Sequence, residues 1–163
     1  MKKARLSAPR KARVTDAAGI KALVDNWSDK GLMLPKSLSE IYDNLRDFWV
    51  FESGGNISGC AGLHISWEDL AEVKSLAVSQ ETMRQGAGSR LLSACLSEAG
   101  ALGIKRVFAL TYVKEFFSKH GFREIDKSSL PHKIWSECIK CSKFPDCDET
   151  AMLYEFDTPP DRV

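Results

Sequence analysis

No apolar run in this sequence approaches the roughly 18 residues that a membrane-spanning helix needs, so no transmembrane segment is expected. The first 13 residues carry six basic side chains, but the apolar stretch that follows such charges in a secretory signal is missing. We therefore expect a cytoplasmic protein. Its five cysteines should then be reduced thiols or metal ligands rather than disulfides.

The sequence also has little excess charge, because 23 basic and 22 acidic residues leave a net charge of +1. This balance argues against a nucleic-acid partner, and we interpret the basic residues 1–12 as a solvated, flexible tail. No internal repeat or low-complexity segment is present. A length of 163 residues suits one domain, which we place at residues 13–163. The sequence does not determine the oligomeric state, and a homodimer stays among the options.

The hydrophobic pattern changes its period along the chain, from helical spacing to alternation and back. Helices are expected at residues 17–27, 37–46, 86–102 and 115–120. Trp27 follows the apolar spacing of the first, Ser37 and Glu40 form a capping box at the start of the second, and Leu102 is placed on the buried side of the third. Strands are expected at residues 48–51, 57–67, 71–78, 106–111, 122–125 and 151–156. A meander followed by crossover units predicts an α/β (α+β) fold with a mixed central β-sheet flanked by helices. Residues 126–150 fit no simple pattern and are interpreted as a cysteine-containing insertion.

A glycine-containing loop, Arg84-Gln-Gly-Ala-Gly88, lies between the third predicted strand and the longest predicted helix. Gly86 and Gly88 let the backbone turn sharply and approach a ligand closely. The first amides of the helix have no partner inside it and carry the positive end of its dipole, so a pyrophosphate fits there. No Gly-Lys-Ser/Thr follows, which excludes a Walker loop, and the missing third glycine argues against a dinucleotide fingerprint.

Two motifs resemble those of the GNAT-type N-acetyltransferases. Glu72-Val-Lys-Ser-Leu-Ala-Val78 followed by the glycine loop is similar to their strand-loop-helix core, and Phe116-Phe-Ser-Lys-His-Gly-Phe122 resembles their short helix ending in Gly-Phe. The resemblance covers roughly residues 13–156 and implies acetyl-CoA as co-substrate, its pantetheine arm paired with the strand. The CoA contacts that it implies are Leu76, Ala77, Val78, Arg84, Gln85, Gly86, Ala87, Gly88, Ser89, Arg90 and Phe117.

The sequence departs from the family pattern at two positions. Met83 stands where the loop usually begins with Gln or Arg. Phosphate binding should persist despite this change, because it relies on backbone amides. Phe117 stands where relatives often carry the Tyr that protonates the leaving thiolate. The usual general acid is therefore absent, or another residue such as Tyr112 replaces it.

A longer pattern narrows the acceptor. Arg106-Val-Phe-Ala-Leu-Thr111, the Phe116–Phe122 motif and Leu130-Pro131 followed by Lys133 resemble the acetyltransferase domain of N-acetylglutamate synthases, in particular the short bacterial forms. This resemblance implies transfer of an acetyl group to the α-amino group of L-glutamate, the first step of arginine biosynthesis. Lys133 matches the position of a basic residue near the glutamate carboxylates. Acetyl-CoA and an amino acid are thus the expected partners, without nucleic acid or membrane.

The acceptor must lose a proton before its nitrogen can attack the thioester. Glu72 matches the strand position where several relatives keep a general base, and its alternative reading is a surface charge at the strand edge. Lys74 shares the face of Glu72 in a regular strand, where it is a candidate partner for Glu72 or for a substrate carboxylate. A bulge in this strand would move it to the other face. Backbone amides of Leu76 or Ala77 are candidate donors to the oxyanion. His64, on the second hairpin strand, has two readings, a side chain that faces the cleft and, more simply, a half-buried histidine.

The region of Cys138, Cys141 and Cys147 is open to three interpretations, which are a zinc site, reduced thiols and an oxidatively formed disulfide. A metal site is not among the assigned functional residues. Alternatives for the whole protein are a GNAT acetyltransferase for another amine or a peptide N-terminus, and a non-catalytic acyl-CoA sensor. A sensor would bind CoA without turnover, and a cationic acceptor would require an acidic cleft.

Overall fold

The computed structural model describes residues 7–131 and 149–157. The α-helices of these residues are α1 (Ala17–Ser28), α2 (Leu38–Asp43), α3 (Ala87–Ala101) and α4 (Lys114–Ser118). The strands are β1 (Arg10–Lys11), β2 (Phe48–Ser53), β3 (Asn56–Trp67), β4 (Leu70–Val78), β5 (Arg106–Thr111), β6 (Arg123–Ile125) and β7 (Thr150–Glu155). The expected elements are therefore present, within a few residues of their predicted bounds.

The strands form one sheet in the order β1-β2-β3-β4-β5-β7-β6. β4 and β5 run parallel, whereas β1 with β2, β2 with β3, β5 with β7 and β6 with β7 run antiparallel. The sheet is mixed because α3 supplies the long crossover that a parallel pair requires. The predicted fold class, a mixed sheet with flanking helices, is confirmed.

The chain divides into two compact units. Unit 1 comprises residues 1–64 and 73–98, and unit 2 comprises residues 65–72 and 99–163. The core of unit 1 joins α1 and α2 to the sheet. Its buried members are Ala17, Ile20, Leu23, Val24, Ile41, Leu45, Phe48, Val50, Cys60 and Ala77. Each large aliphatic or aromatic side chain buried there contributes about 1.5–3 kcal/mol.

Local signals explain where the elements of unit 1 begin and turn. The Ser37 hydroxyl accepts a hydrogen bond from the Glu40 amide at 3.1 Å, and the Glu40 carboxylate accepts one from the Ser37 amide at 3.2 Å. This is the predicted capping box, and α2 follows it. Gly54 and Gly55, with φ values of 59° and 82°, form the turn between β2 and β3.

The N-terminal segment differs from the prediction of a flexible tail over residues 1–12. Arg10 and Lys11 pair with Val50 and Trp49 as strand β1. The Arg10 guanidinium donates to both oxygens of the Asp16 carboxylate, at 2.7 and 3.1 Å, and also contacts Glu52. The sequence argument counted this arginine as a solvated charge, whereas two carboxylates from elsewhere in unit 1 hold it on the sheet.

Unit 2 is built around β5, β7 and β6. Its core cluster contains Leu70, Phe108, Leu130, Ala151 and Leu153. A row of rings also packs here, with centroids 5.0–5.5 Å apart. Its members are Phe117, Phe122, Tyr154 and Phe156. Aromatic pairs in such offset or edge-to-face arrangements add about 0.5–1.5 kcal/mol beyond their burial.

The prediction that Leu102 lies on the buried side of the long helix is wrong. Leu102 is 56% exposed. α3 ends at Ala101, and Gly103 follows in the left-handed region with φ 82°. Leu102 therefore lies outside the helix, where the helical period no longer determines which way its side chain points.

Candidate active site

The loop that follows β4 in unit 1 is held by buried Thr82. Its hydroxyl oxygen lies 3.3 Å from the Ser58 carbonyl oxygen and 2.9 Å from the Ser79 hydroxyl oxygen. The Ser79 amide donates to the Ser58 carbonyl at 2.8 Å. These bonds tie the start of the loop to β3, so its position depends on buried polar contacts rather than on packing alone.

The second half of this loop turns on Gly86. Met83–Gln85 form one turn of 3-10 helix, and Gly86 then adopts φ 76° and ψ 17°. This left-handed backbone conformation costs a residue with a β-carbon about 1–2 kcal/mol of conformational free energy. The Arg90 amide donates to the Gly86 carbonyl at 3.1 Å, and the amides of Ala87 and Gly88 precede that bond. A helix provides no acceptor of its own for its first amides, so these are suited to an anion.

The side chains predicted to contact CoA differ in exposure along the loop. Those of Arg84, Gln85 and Arg90 are exposed, whereas Ala87 is fully buried. Gly88 and Ser89 are intermediate. The arginines can therefore add positive charge near an anion without a desolvation cost, while Ala87 anchors the helix start in the core.

Strand β4 carries a backbone irregularity at Ser75. This residue has φ 55°, and it is the only non-glycine with positive φ in the described part of the chain. Its carbonyl accepts a hydrogen bond from the buried Cys60 thiol, with a sulfur–oxygen distance of 3.3 Å. Beyond it, Ala77 is buried and Leu76 and Val78 are half-buried. The positive φ of Ser75 interrupts the regular alternation of side chains between the two faces of the sheet. It lies just before the residues that the sequence predicts to contact the pantetheine arm.

The end of β4 is fixed by a residue that the sequence argument treated only as helix core. The Trp27 indole nitrogen donates to the Val78 carbonyl at 3.1 Å. Trp27 fits the apolar period of α1, and nothing in that period distinguishes a tryptophan that caps a strand from one that only packs. The irregular backbone at Ser75 likewise has no sequence signal, because serine is not typical of this region.

Lys74 is half-buried and lies beside Gly62 of β3. A β-carbon at Gly62 would come within 3.4 Å of the Lys74 carbonyl oxygen and 3.9 Å of its Cγ atom. The side-chain stem of Lys74 therefore runs along the same sheet face as Gly62. The irregularity at Ser75 follows Lys74, so the strand is regular up to this position.

Glu72 belongs to unit 2. It forms the last pair of a parallel ladder with β5, Leu70↔Arg106, Ala71↔Val107 and Glu72↔Phe108. Paired residues of neighbouring strands share a face, so Glu72 is on the face of fully buried Phe108. Glu72 is half-buried.

Tyr112 and Phe117 occupy different surroundings in unit 2. Tyr112 directly follows the carboxyl end of β5 and is half-buried. Phe117 is only 3% exposed and packs edge-to-face against Phe116 and Phe122. Its ring is thus part of the core, and its contact with CoA stays a prediction. Ligands of parallel strands bind at their carboxyl ends, which is where Tyr112 lies.

A concavity of about 530 Å³ lies beside the strands of unit 2. It is lined by Arg106, Arg123, Leu130, Pro131 and Glu155, among others. Arg106 begins β5, about 17 Å of strand away from Thr111. Arg123 pairs with Glu155 at 2.7 Å, so its charge is already compensated. The lining also includes Ile125, which pairs with Ala151 level with Leu110, and Pro131, which precedes Lys133 by two residues, so the concavity is not confined to the amino end of β5.

Some predicted residues lie outside the described part of the chain. These are Lys133, Cys138, Cys141 and Cys147. Within residues 7–131 and 149–157, no group of His, Cys, Asp or Glu is suited to hold a metal ion. Cys60 and Cys95 are core thiols, as expected, and burial raises the pKa of each to about 12. Among the helices described, none has the length and apolar character needed to cross a membrane.

Comparison with known proteins decides the family. A model of the acetyltransferase (GNAT) domain matches residues 44–124. An N-acetyltransferase of Chlorobaculum tepidum is 36% identical over 144 residues, which are 88% of this chain and 93% of the relative. This chain belongs to the GNAT acetyltransferase family. It is therefore an acyltransferase, and acetyl-CoA is its co-substrate.

Other relatives of this GNAT acetyltransferase carry a more specific description. The amino-acid acetyltransferase of Mycobacterium tuberculosis is 37% identical over 134 residues, 80% of this chain and 76% of the relative. A Mycobacterium tuberculosis structure in complex with CoA has a TM-score of 0.78 and 31% identity, covering 92% of this chain and 99% of that one. The N-acetylglutamate synthase of Neisseria gonorrhoeae, complexed with coenzyme A and N-acetyl-glutamate, has a TM-score of 0.84 and 28% identity. It matches 96% of this chain, which spans 36% of the synthase.

Proposed function

We propose that this enzyme transfers the acetyl group of acetyl-CoA to the α-amino group of L-glutamate, the reaction that opens arginine biosynthesis. One observation carries the proposal. A structure with coenzyme A and N-acetyl-glutamate, the two products of that reaction, resembles 96% of this chain with a TM-score of 0.84. The acetyltransferase domain is proposed to extend to residue 163 and to include strand β1, ahead of the boundary expected at residue 13. Residues 126–150 are proposed as an insertion, in a cytoplasmic protein.

The reaction divides into steps that need different groups. The acceptor ammonium loses a proton, and its nitrogen then attacks the thioester carbonyl carbon. The carbon–sulfur bond breaks, the thiolate leaves and takes a proton, and the nitrogen loses a second proton to become an amide. One proton is released overall. The protein must therefore hold the CoA phosphates, stabilise the oxyanion, accept protons from nitrogen and provide one to sulfur.

The glycine loop is proposed to hold the CoA phosphates. Two features support this role, the left-handed turn at Gly86 and the first amides of the 15-residue helix α3 that follows it. Arg84 and Arg90 are exposed beside that turn and would add charge. The amides of Leu76 and Ala77 follow the irregular backbone at Ser75, and they are proposed as contacts to the acetyl carbonyl and the pantetheine arm.

Glu72 is proposed as the general base, and Tyr112 as the acid that protonates the leaving thiolate. The position of Glu72 supports its assignment, because it is half-buried on β4 and pairs with Phe108 of the parallel strand β5. Tyr112 is half-buried at the carboxyl end of β5, whereas the position that often carries the acid is occupied by Phe117. Lys74 and Lys133 are proposed as cationic partners for the two carboxylates of glutamate.

The test is the release of CoA thiol with a panel of amines. The panel contains L-glutamate, L-aspartate, L-glutamine, L-lysine, spermidine and a short peptide with a free N-terminus. We expect L-glutamate to give the highest kcat/KM, and L-lysine and spermidine to react least because Lys74 disfavours a second positive charge. A higher kcat/KM for the peptide or for spermidine would reject glutamate while leaving the acetyltransferase assignment intact.

A further inference from the structure

A second group able to accept a proton lies in unit 1. The Nδ1 atom of His64 is 2.7 Å from the Oδ2 atom of Asp47. The imidazole is 38% exposed and the carboxylate 27%. Such a partner selects the tautomer in which Nδ1 carries the hydrogen, so that Nε2 is an acceptor. The other nitrogen of this half-exposed ring can therefore meet solvent or a bound molecule.

Both members of this pair, hereafter the Asp47–His64 dyad, are held by regular structure. Asp47 closes the 3-10 turn Leu45–Asp47, where its amide donates to the Asn44 carbonyl at 3.0 Å. His64 is the last residue of β3 within unit 1. The pair joins residues that are 17 positions apart in sequence, so neither position alone indicates it.

The dyad lies on the sheet face that leads to the irregular part of β4. Alternation along β3 places Cys60, Gly62 and His64 on one face. Cys60 contacts the Ser75 carbonyl, and Gly62 lies against the stem of Lys74. His64 is two residues beyond Gly62, a distance of about 7 Å along the strand. A small amino acid that reaches the acetyl group at the residues after Ser75 would extend over this face.

We infer that the Asp47–His64 dyad is a second proton acceptor in acetyl transfer, with His64 as the catalytic residue and Asp47 as its positioning residue. The inference rests on the proposed acetylation of a small amino acid. The acceptor nitrogen loses two protons in that reaction, and a single carboxylate can take only one of them before it must be reset. His64 Nε2 accepts the other, directly or through one water, and the Asp47 carboxylate stabilises the imidazolium that forms.

The protons balance in this scheme. His64 takes one of the two protons that leave the acceptor nitrogen, a general base takes the other, and a general acid gives one to the CoA thiolate. Exchange with solvent then removes one proton from His64, removes one from the base and returns one to the acid. The net result is the single proton that amide formation from an ammonium and a thioester must release. No oxidant, reductant or further reactant is required.

Chemical rescue tests the role of His64. His64→Ala should lower kcat about 10²-fold while leaving CoA affinity by calorimetry unchanged, and added imidazole should restore part of the loss. His120→Ala is the matched control, because the His120 ring packs on Phe116 at 5.0 Å in unit 2. It should keep its activity and show no response to imidazole. A His64→Ala variant with full activity, or one whose loss imidazole does not relieve, would overturn the inference.

Asp47→Asn tests the positioning role. It should lower kcat by about tenfold, with little change in the KM of the acceptor, because an amide holds the ring but cannot stabilise an imidazolium. Asp69→Asn is the control, since it removes the same charge from an exposed pair with Arg106 in unit 2. Equal effects of the two substitutions on kcat would contradict the role assigned to Asp47.

A binding measurement separates this inference from the proposed substrate. The chain has three histidines, so the imidazole proton signals can be assigned by His64→Gln and His120→Gln. L-glutamate added to the CoA complex should shift the His64 signal and leave the His120 signal in place. If another amine is the better substrate, the shift and the rescue should follow that amine. If no amine moves the His64 signal, the dyad is not at the acceptor site.

Discussion

Two regions to which we assign parts of the chemistry, the loop after β4 in unit 1 and the side chains of Glu72 and Tyr112 in unit 2, are built in different ways. In unit 1, the loop after β4 depends on backbone geometry, with Gly86 in the left-handed region and the first amides of α3 ahead of the first helical bond. In unit 2, the assigned roles depend on individual side chains, Glu72 beside Phe108 and Tyr112 at the end of β5. A binding site made of backbone atoms tolerates many residue types, whereas a site made of particular side chains is lost when those residues change.

This difference explains why the co-substrate is easier to assign than the acceptor. A pyrophosphate is recognised by amides and a helix dipole that every residue type provides, so Met83 can replace the usual residue without removing the loop. An amino acid is recognised through a few charged side chains, and substituting one of them changes the substrate. Variants of the loop and variants of the side chains assigned to the acceptor should therefore affect different measurements.

The largest effect is expected at Glu72. Glu72→Gln removes a proton acceptor and should lower kcat by about 10²–10⁴-fold. Raising the pH should restore part of the loss, because more of the acceptor is then already a free amine. Pre-steady-state thiol release across a pH series measures both effects. Glu68→Gln, at an exposed position of the same hairpin, is the control, and the same loss at every pH for Glu72→Gln would reject its role as base.

Gly86→Val should weaken CoA binding about 100-fold, because a β-branched residue cannot adopt φ 76° without strain and the loop would rearrange. A clash inside the protein is not the reason, since no protein atom lies within 4 Å of a β-carbon added at Gly86. Gly55→Val has the same strain at φ 82° in the turn between β2 and β3, also with nothing within 4 Å. Calorimetry should show normal CoA affinity for Gly55→Val, and equal losses in both variants would remove the loop from the site.

Lys74→Ala and Lys133→Ala should each lower kcat/KM for L-glutamate by about one to two decades. This is the value of a lost charge-assisted contact, roughly 1.5–3 kcal/mol. CoA affinity should be unchanged in both. Lys21→Ala, which removes an exposed i,i+4 pair with Asp25 on α1, serves as control. An unchanged KM for glutamate in both test variants would place the acceptor's carboxylates elsewhere.

The smallest effect concerns stability in unit 1. Asp16→Asn should lower the free energy of unfolding by about 1.5–3 kcal/mol, because it removes a charge-assisted bond to Arg10. The Arg10 guanidinium holds the pKa of Asp16 below its usual value of 3.8. The stabilisation is therefore complete above that value and is lost as the pH falls through the lowered pKa. Denaturant unfolding should show the two proteins converge only in strong acid.

The exposed pair of Arg106 and Asp69 in unit 2 provides the comparison for that measurement. Asp69→Asn should change stability by only about 0–1 kcal/mol, because solvent screens such a pair. If Asp69→Asn cost as much as Asp16→Asn at neutral pH, burial would not be the source of the Asp16 effect.

The sequence predicted those parts whose cause is local. The strand Arg106–Thr111 was expected at the same residues, and the capping box of Ser37 and Glu40 forms as expected. The left-handed turn at Gly86 has its cause in the glycine itself. Leu102 was assigned wrongly because α3 ends at Ala101 and Gly103 follows in the left-handed region, so Leu102 is not held on the buried face of the helix.

The parts that could not be predicted depend on contacts between distant residues. The Asp47–His64 dyad, the bond from Trp27 to the Val78 carbonyl and the engagement of Arg10 by Asp16 and Glu52 each join separate elements. Ser75 adopts a positive φ that its residue type does not suggest. The spacing of apolar residues and the helix and strand propensities depend only on neighbours in the sequence. They do not predict contacts between distant residues, so the tertiary fold is needed to find such pairs.

The most direct test of the central claim is a competition for labelled acetyl groups. The enzyme is incubated with ¹³C-acetyl-CoA and an equimolar mixture of the common amino acids, and the products are identified by mass spectrometry. The account predicts that the label accumulates in N-acetylglutamate ahead of every other product. Label in a different amino acid, or only in free acetate, would contradict it.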